Sequence, residues 1–456
     1  MMAASRKRRK ALLKSLDHPK GASYTDRPEG RQVEKIISIV LGGGKGQRLY
    51  PLTANRAKPA VPFGGKFRIV DIPISNCMHA GMRQIFVLTQ FNSASLHRHL
   101  NNTYRFDTFT RGFVELLAAE QTLRSSDWYQ GTADAVRKNL LHFEDHSPRH
   151  YVILSGDQLY RMDLQEMFTM HQESGADITV ASIPVTRDKA TGLGILQADA
   201  AYRITKFIEK PPRTQDISAL AVPAEIRERE ELEEDGELFL ASMGIYVFNA
   251  GAMKKALDNT LTDFGSEIIP ALINKVKVST YVFDGYWEDI GTIKSFYEAN
   301  INLASINPSF NLYEENAPIF THRRDLPPSK INYSTISQSL AAEGSIITNA
   351  NIANSIVGIR TIIESGANLD GVVCMGADFY ETAEDREANT GVPNIGIGQG
   401  CIIKRAIIDK NARIGDNCRI GIDPIPRRDG DFETYSIRDG IIVIPKGTVL
   451  NPGTVI

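Results

Sequence analysis

From Leu340 onward the apolar residues recur every six positions, and nothing else in the chain narrows its possible folds so far. Leu340, Ile346 and Ile352 keep the step, as do Val357, Ile363 and Leu369 after a one-residue frame slip. It resumes at Ile402, Ile408, Ile414 and Ile420 and again at Val443, Val449 and Val455, with small residues, Asn or Gly between. Hexapeptide repetition of this kind marks a parallel β-helix, in which each short strand stacks on the next coil and buries one apolar rung. Helical solenoids use longer repeats. The stretch from Gly421 to Gly440 breaks the period and reads as a loop leaving the coil.

The grammar before residue 300 is different. Short apolar runs at Ile36–Leu41, Ile85–Thr89, Tyr151–Leu154, Ile178–Ile183 and Ile245–Phe248 alternate with helical patterns, as in an α/β layer with a mostly parallel sheet. A proline-bearing stretch at 308–330 separates the two regions as an interdomain linker. The expected layout is a basic, disordered extension over 1–33, an α/β domain over 34–307, the linker, and a β-helix over 331–456. The 456 residues suffice for about two domains. The charge balance, 54 acidic against 52 basic residues, offers no field for nucleic acid, and no apolar run is long enough for a membrane span. Cys77, Cys374, Cys401 and Cys418 are widely spaced and read as buried thiols in a reducing, cytoplasmic setting. The basic N-terminus lacks the apolar run of a secretory signal.

The first strand runs straight into Gly42, Gly43, Gly44 and Gly46, with Lys45, Arg48, Arg56 and Lys58 close behind. Glycines let backbone N–H groups approach an anion and the cations neutralise it, so the segment is a phosphate site in outline. Neither a dinucleotide fingerprint nor an NTPase phosphate loop fits, because Leu49 and Gln47 stand where those motifs need Gly and Lys. A second buried strand ends at Gly156 and Asp157, at the carboxyl edge where open α/β sheets bind ligands. Asp289 follows another apolar-aromatic run, and two such acids suit Mg²⁺ bound through substrate phosphates. Thr132 reads as a helix N-cap behind an exposed aromatic pair, Trp128 and Tyr129, and Lys210 as a candidate phosphate ligand. With no Ser-His-Asp or Cys-His set, the toolkit of glycine amides, cations and carboxylates fits displacement at phosphorus.

Together the motifs resemble the glucose-1-phosphate adenylyltransferases, the ADP-glucose pyrophosphorylases of glycogen and starch synthesis. The resemblance covers nearly everything from Ile36 to Ile456 and rests on LGGGKGQRLYPLT, RAKPAVPFGGKFRIVDIPISNC, WYQGTADAV, GDQLYRMD, FIEKP, ASMGIYVF, WEDIGT, MGADFYET and DKNARIGDN in the family's order. It implies a mostly parallel, Rossmann-like nucleotidyltransferase sheet domain followed by a C-terminal left-handed parallel β-helix. It also implies that ATP and α-D-glucose 1-phosphate react to ADP-glucose and pyrophosphate with Mg²⁺ as cofactor, in a homotetramer.

By the same resemblance Arg48, Lys58, Asp157 and Asp289 are catalytic, the last two holding the metal. Gly42, Gly43, Gly44, Gln121, Gly131 and Thr132 bind the nucleotide; Tyr129, Gly194, Glu209, Lys210 and Ser242 bind glucose 1-phosphate or ADP-glucose. The closing segment looks like the plant and cyanobacterial branch, activated by 3-phosphoglycerate and inhibited by phosphate. There Arg56, Arg68, Lys410 and Lys446 match the basic residues of the effector site, the two lysines on an exposed rim. Asn55 stands where enteric-type members carry a lysine for fructose 1,6-bisphosphate. The alternatives are a non-catalytic regulatory subunit, a pyrophosphorylase for another nucleotide sugar, or a β-helix acyltransferase; the last lacks a His anywhere from Leu340 to Ile456.

Overall fold

The computed structural model describes residues 35–44, 46–107, 109–119, 128–232, 236–422 and 428–456. The extension at 1–33, Lys45 and Gln121 lie outside them. Strand β1 (Ile36–Leu41) is nearly all β-branched or apolar and sits in the middle of a nine-stranded sheet. It pairs in parallel with β2 (Gln84–Thr89), which pairs in parallel with β3 (Phe113–Ala118) at the edge. On its other side lies β4 (His150–Ser155), also parallel. Ile37 and Ile39 enter the core on one face of the sheet and Val40 the core on the other, which is why the strand shows no polar alternation.

Beyond β4 the sheet is no longer purely parallel. The remaining strands are β5 (Ile178–Thr186), β6 (Gly194–Ala198), β7 (Ile204–Glu209), β8 (Leu238–Asn249) and β9 (Val278–Val282). The long β8 runs antiparallel to β4, β5 and β6. Its first half faces β6 and its second half β4, with a bulge between Ser242 and Tyr246. Bulges re-aim side chains beside sites, and this one opens the sheet at the carboxyl ends of β1 and β4.

The segment from Ser305 to Ser329 contains no regular element but is strapped down. Phe310 is buried, Arg161 donates to the carbonyl of Asn311 and to that of Ala317, and the Phe320 amide donates to Ser75 Oγ. From Lys330 the chain winds into a parallel β-helix with three short strands per coil. Register pairs Ile346 with Lys330 and with Ile362, so these coils take sixteen residues.

Three apolar columns fill its interior: Ile347–Ile363–Ile397–Ile414–Leu450, Ile352–Leu369–Ile403–Ile420, and Val357–Cys374–Ile408–Ile444. The hexad reading is off by one at Ile346, Ile402, Val449 and Val455, whose successors Ile347, Ile403, Leu450 and Ile456 point inward instead. Adjacent strand residues face opposite ways, and in an apolar doublet the period alone does not tell which is inside.

Val443 is also misassigned. It belongs to a fourth, outward column, Ile356–Val373–Ile407–Val443, in register across four coils. That column packs against Leu49, Val61, Phe63, Ile72, Ile293 and Phe296, forming an apolar seam between the two domains. All four cysteines are buried and unpaired.

The corrected register has a direct consequence. Leu450→Ala should destabilise the β-helix by about 2–4 kcal/mol through transfer and cavity terms. Val449→Ser should stay within about 0.5 kcal/mol. Thermal unfolding of the two variants measures the difference; equal losses would restore the original period.

Candidate active site

The carboxyl ends of β1, β2 and β4 open onto a cleft of about 840 Å³. Gly43 and Gly44 line it, Gly44 with φ +112°, a conformation that L side chains rarely adopt. Gly42 does not line the cleft, contrary to the cradle expected of it. It is buried; its amide donates to Leu88 O at 2.7 Å and a Cβ there would lie 3.0 Å from the same oxygen. Its smallness serves strand packing. Gly156 does the same against Leu41 O.

Behind the loop stands an acid–cation cluster. Lys58 opens a short 3-10 turn ending at Ala60 and is almost wholly buried, yet its Nζ donates to Asp157 Oδ2 at 2.6 Å and lies 3.7 Å from Asp289 Oδ1. Arg48, largely exposed, lies 3.6 Å from Asp289 Oδ2. The two acids are brought together by an antiparallel ribbon in which Asp289 is register partner of Gln158, the residue after Asp157. Ser155 Oγ donates to the other Asp157 oxygen. Burial pushes the Asp157 carboxyl up, but the charge and hydrogen bond of Lys58, with Ser155 and Arg48, hold it below the usual range. It therefore stays ionised at neutral pH.

Among the described residues no three His, Cys, Asp or Glu side chains gather as a complete metal cage. Two hard carboxylate donors at an open cleft, without thiolate or imidazole, are the donor set of a Mg²⁺ that takes its other ligands from phosphates and water. Asp157 and Asp289 fit that ion.

At the other end of the cleft lie Tyr129, Gly194, Glu209, Lys210 and Ser242. Lys210 follows β7 with φ +46°, and its Nζ rests 3.1 Å from Glu209 Oε1. A Cβ on Gly194 would lie 2.6 Å from Glu209 Oε2, so only glycine leaves the carboxylate where it is. The expected exposed aromatic pair divides. Trp128 is half exposed and stacks on Phe91 at 5.7 Å, whereas Tyr129 is buried with its hydroxyl accepting from Asn139 Nδ2.

Thr132 is not an N-cap either. Gly131 occupies that position, pressed against Thr262, while the Thr132 hydroxyl donates to Asp263 Oδ2 and accepts from the Phe264 amide. Thr132 thus fixes Asp263, a cleft-lining carboxylate that the sequence reading missed. The one local signal for Asp263 was its place before a Phe-Gly-Ser turn whose Ser266 amide it caps.

The four residues expected at an effector site lie together near the seam, away from the cleft. Arg56 is buried, its Nη1 donating to Asp409 Oδ1 at 2.9 Å and Oδ2 at 3.0 Å, so it is an interdomain clamp rather than a free cation. Arg68 donates to Ala60 O and to Ser95 Oγ, and its Nε is buried without a partner. Burial, reinforced by Arg56, pulls its guanidinium down to about 10. Lys410 is not on an exposed rim but almost fully buried; burial pulls its ammonium down to about 8 against the opposing charge of Asp378. Lys446 is partly exposed.

Comparison with known proteins agrees with this architecture. The family described as nucleotidyl transferase matches residues 37–306, and the GLGC left-handed parallel beta-helix domain matches residues 324–455. The chain is 45% identical over 434 residues to the glucose-1-phosphate adenylyltransferase small subunit, chloroplastic/amyloplastic, of Triticum aestivum; the match covers 93% of this chain and 92% of that protein.

One position outside the expected set tests the cluster. A Cβ on Gly291 would lie 2.8 Å from Asp289 Oδ1, 2.9 Å from Arg48 Nη2 and 3.0 Å from Lys58 Nζ. Gly291→Ala should therefore displace the charged ends and lower turnover roughly tenfold or more, the scale of an ångström misplacement. The melting temperature should barely move, since those side-chain ends can swing away. Unchanged turnover would remove the cluster from the chemistry.

Proposed function

The chain belongs to the glucose-1-phosphate adenylyltransferase family of nucleotidyltransferases, and from that membership we propose that it makes ADP-glucose and pyrophosphate from ATP and α-D-glucose 1-phosphate under control of an anionic effector. This is the committed step of α-glucan synthesis. The observation that carries the reading is the convergence of Lys58, Asp157, Arg48 and Asp289 beside the glycine loop, with Lys210 and Glu209 across the same cleft. A decayed, purely regulatory subunit would have no reason to keep that set intact.

A phosphate oxygen of glucose 1-phosphate attacks the α-phosphorus of ATP, and the bond from that phosphorus to the bridging oxygen of the β-phosphate breaks in line. One phosphoanhydride replaces another, so the step is readily reversible. Catalysis here is positioning and charge neutralisation. The amides of Gly43 and Gly44 face the triphosphate, and Arg48 neutralises it from the exposed side. Lys58 exchanges part of its bond to Asp157 for phosphate oxygens. Lys210 holds the sugar phosphate, and Glu209, Ser242 and Tyr129 shape the sugar end. Mg²⁺, held by Asp157 and Asp289, supplies further neutralisation of the triphosphate when bound.

The effector reading rests on Lys410 and Lys446, with Arg68 behind them. It is supported by their convergence at one place on the β-helix and by the arginines that face it. 3-Phosphoglycerate is the activator we assign, and phosphate the inhibitor. Assembly as a homotetramer and a cytoplasmic location belong to the same proposal; among the described residues no helix is long and apolar enough to cross a membrane.

Pyrophosphate release from each NTP with glucose 1-phosphate, with and without 3-phosphoglycerate or fructose 6-phosphate, tests the activity. Absence of release with ATP under every effector would sink it. Asp157→Asn should cut turnover roughly 10²- to 10³-fold or more while leaving the assembly's mass unchanged. Lys446→Ala should raise the half-activating concentration of 3-phosphoglycerate about tenfold, with unactivated turnover intact. The pH dependence has a definite sign. Lys410 carries its charge below about 8 and loses it above, so activation should weaken as pH rises through that value, before substrate affinity changes. An effector affinity constant from pH 7 to 9 would exclude Lys410.

A further inference from the structure

Lys410 and Lys446 occupy equivalent places on successive coils, each two residues beyond the paired rungs Ile408 and Ile444. Neighbouring strands lie about 4.8 Å apart, so two ammonium groups in register on adjacent coils repel. The chain answers this with a carboxylate from the coil before. Asp378 lies four residues beyond Cys374, the partner of Ile408 in the preceding coil. Its Oδ1 accepts from Lys410 Nζ at 2.9 Å, and its Oδ2 from Lys446 Nζ at 2.8 Å and from Asn411 Nδ2 at 3.1 Å. The Asp378 amide is in turn fixed by Asn411 Oδ1 at 2.8 Å. Both lysines are thus engaged by one internal anion, which is about a third exposed on its open side.

Three arginines stand around this carboxylate, with Asp71 and Glu343 sharing in their neutralisation. Arg68 and Arg324 both feel the charge of Asp378, and Arg360 faces Arg324. Arg324 spends its donors on the carbonyls of Lys66 and His322, Arg360 lies over the Tyr380 ring, and Arg68 keeps a buried Nε without a partner. None of the three has an ion-pair partner among the described residues.

We propose that Asp378 is a resident stand-in for the effector, a tethered carboxylate held by Lys410 and Lys446 that an incoming phosphate-bearing anion must displace. The proposal rests on the effector reading above and deepens it. The effector's phosphate takes the two ammonium groups, its remaining negative charge faces the arginines, and Asp378 swings into solvent. Displacement makes affinity depend on the ligand's charge. A monoanion gains little by replacing one carboxylate, whereas a ligand with a doubly charged phosphate and a second acidic group gains a charge-assisted bond for each extra charge. The weakened affinity is the thermodynamic cost of a competing internal anion, and it keeps the site empty until the effector reaches a threshold concentration.

The experiment measures binding of inorganic phosphate and of 3-phosphoglycerate to the full chain by calorimetry, in wild type, Asp378→Asn and Asp378→Ser. Asparagine keeps the shape and the Asn411 contact while losing the charge; serine is too short to reach either lysine. Both variants should bind the two anions roughly tenfold more tightly, and their half-activating 3-phosphoglycerate concentration should fall to match. Should either variant melt at a lower temperature in buffer, saturating 3-phosphoglycerate should restore it, since the added anion takes over the neutralising role. Equal or weaker binding by the variants, or no restoration, would overturn the stand-in and leave the effector site in place. Failure of wild type to bind either anion would instead overturn the effector reading itself, and the stand-in with it.

Discussion

The Arg56–Asp409 pair, buried in the seam between the two domains, is the contact on which both functional regions depend. The two side chains are 3% and 2% exposed, and the guanidinium meets both carboxylate oxygens. Burying an ion pair brings little net stability, but removing one partner strands a charge at a cost of about 3–5 kcal/mol. Its contribution is therefore register. Arg56 lies two residues before Lys58, on a stretch also held by the Ala57 amide to Asn92 O. Asp409 lies one residue before Lys410, whose amide donates to Asp409 Oδ1 at 2.6 Å. One contact thus places the backbone of the lysine that pairs with the cleft carboxylate Asp157 and of a β-helix lysine.

The apolar surroundings give the pair its rigidity. The column Ile356–Val373–Ile407–Val443 meets Leu49, Val61, Phe63 and Ile72, which bracket the turn carrying Lys58. Tyr297 adds a hydrogen bond from its hydroxyl to Gly371 O at 2.6 Å, and Ile359 N donates to Gly65 O. β-branched side chains stacked in register are stiff, and the near-complete burial of both charged side chains weakens screening of the ion pair by solvent. The same logic of neutralised cations recurs on both sides of it. Lys58 is paired with Asp157 in the cleft, Lys410 with Asp378 beyond it. In each case a lysine with a buried stem is paired with a partly exposed carboxylate, and in each case that carboxylate is at the open side where a phosphate would arrive.

Much of this was legible in the residues, and the parts that were not share a cause. The strand-to-glycine junction at Leu41, the acids Asp157 and Asp289, and the existence of the β-helix all stand where local pattern put them, although the phase of its rungs does not, because an apolar doublet leaves the inward residue open. Gly42 was misread because glycine is demanded equally by an anion and by a close backbone approach, and only the 3.0 Å distance to Leu88 O separates the two. Thr132 was misread because its partners, Asp263 and Phe264, are more than a hundred residues away. Arg56 was read as a cation open to an anion and Lys410 as a rim lysine for the same reason: their partners lie on another domain or another coil. Local pattern announces charge; burial and pairing are long-range properties.

The β-helix ties the proposed effector lysines to the architecture of the chain. Along Ala406–Ile408 the side chains alternate, so Ala406 and Ile408 face the coil interior while Ile407 faces the catalytic domain. Continuing the alternation turns Asp409 outward to Arg56, and the next residue is Lys410. A one-residue slip would move an isoleucine out of the core, a carboxylate into it and both lysine sites out of place together. The interior columns therefore do more than stabilise a solenoid. By fixing the phase of each strand they fix which residues reach the seam and which reach the lysines beyond it. An anion acting on Lys410 consequently acts on a residue whose neighbours are locked to the core on one side and to the turn of Lys58 on the other, so any shift it imposes must be taken up at the Arg56–Asp409 contact.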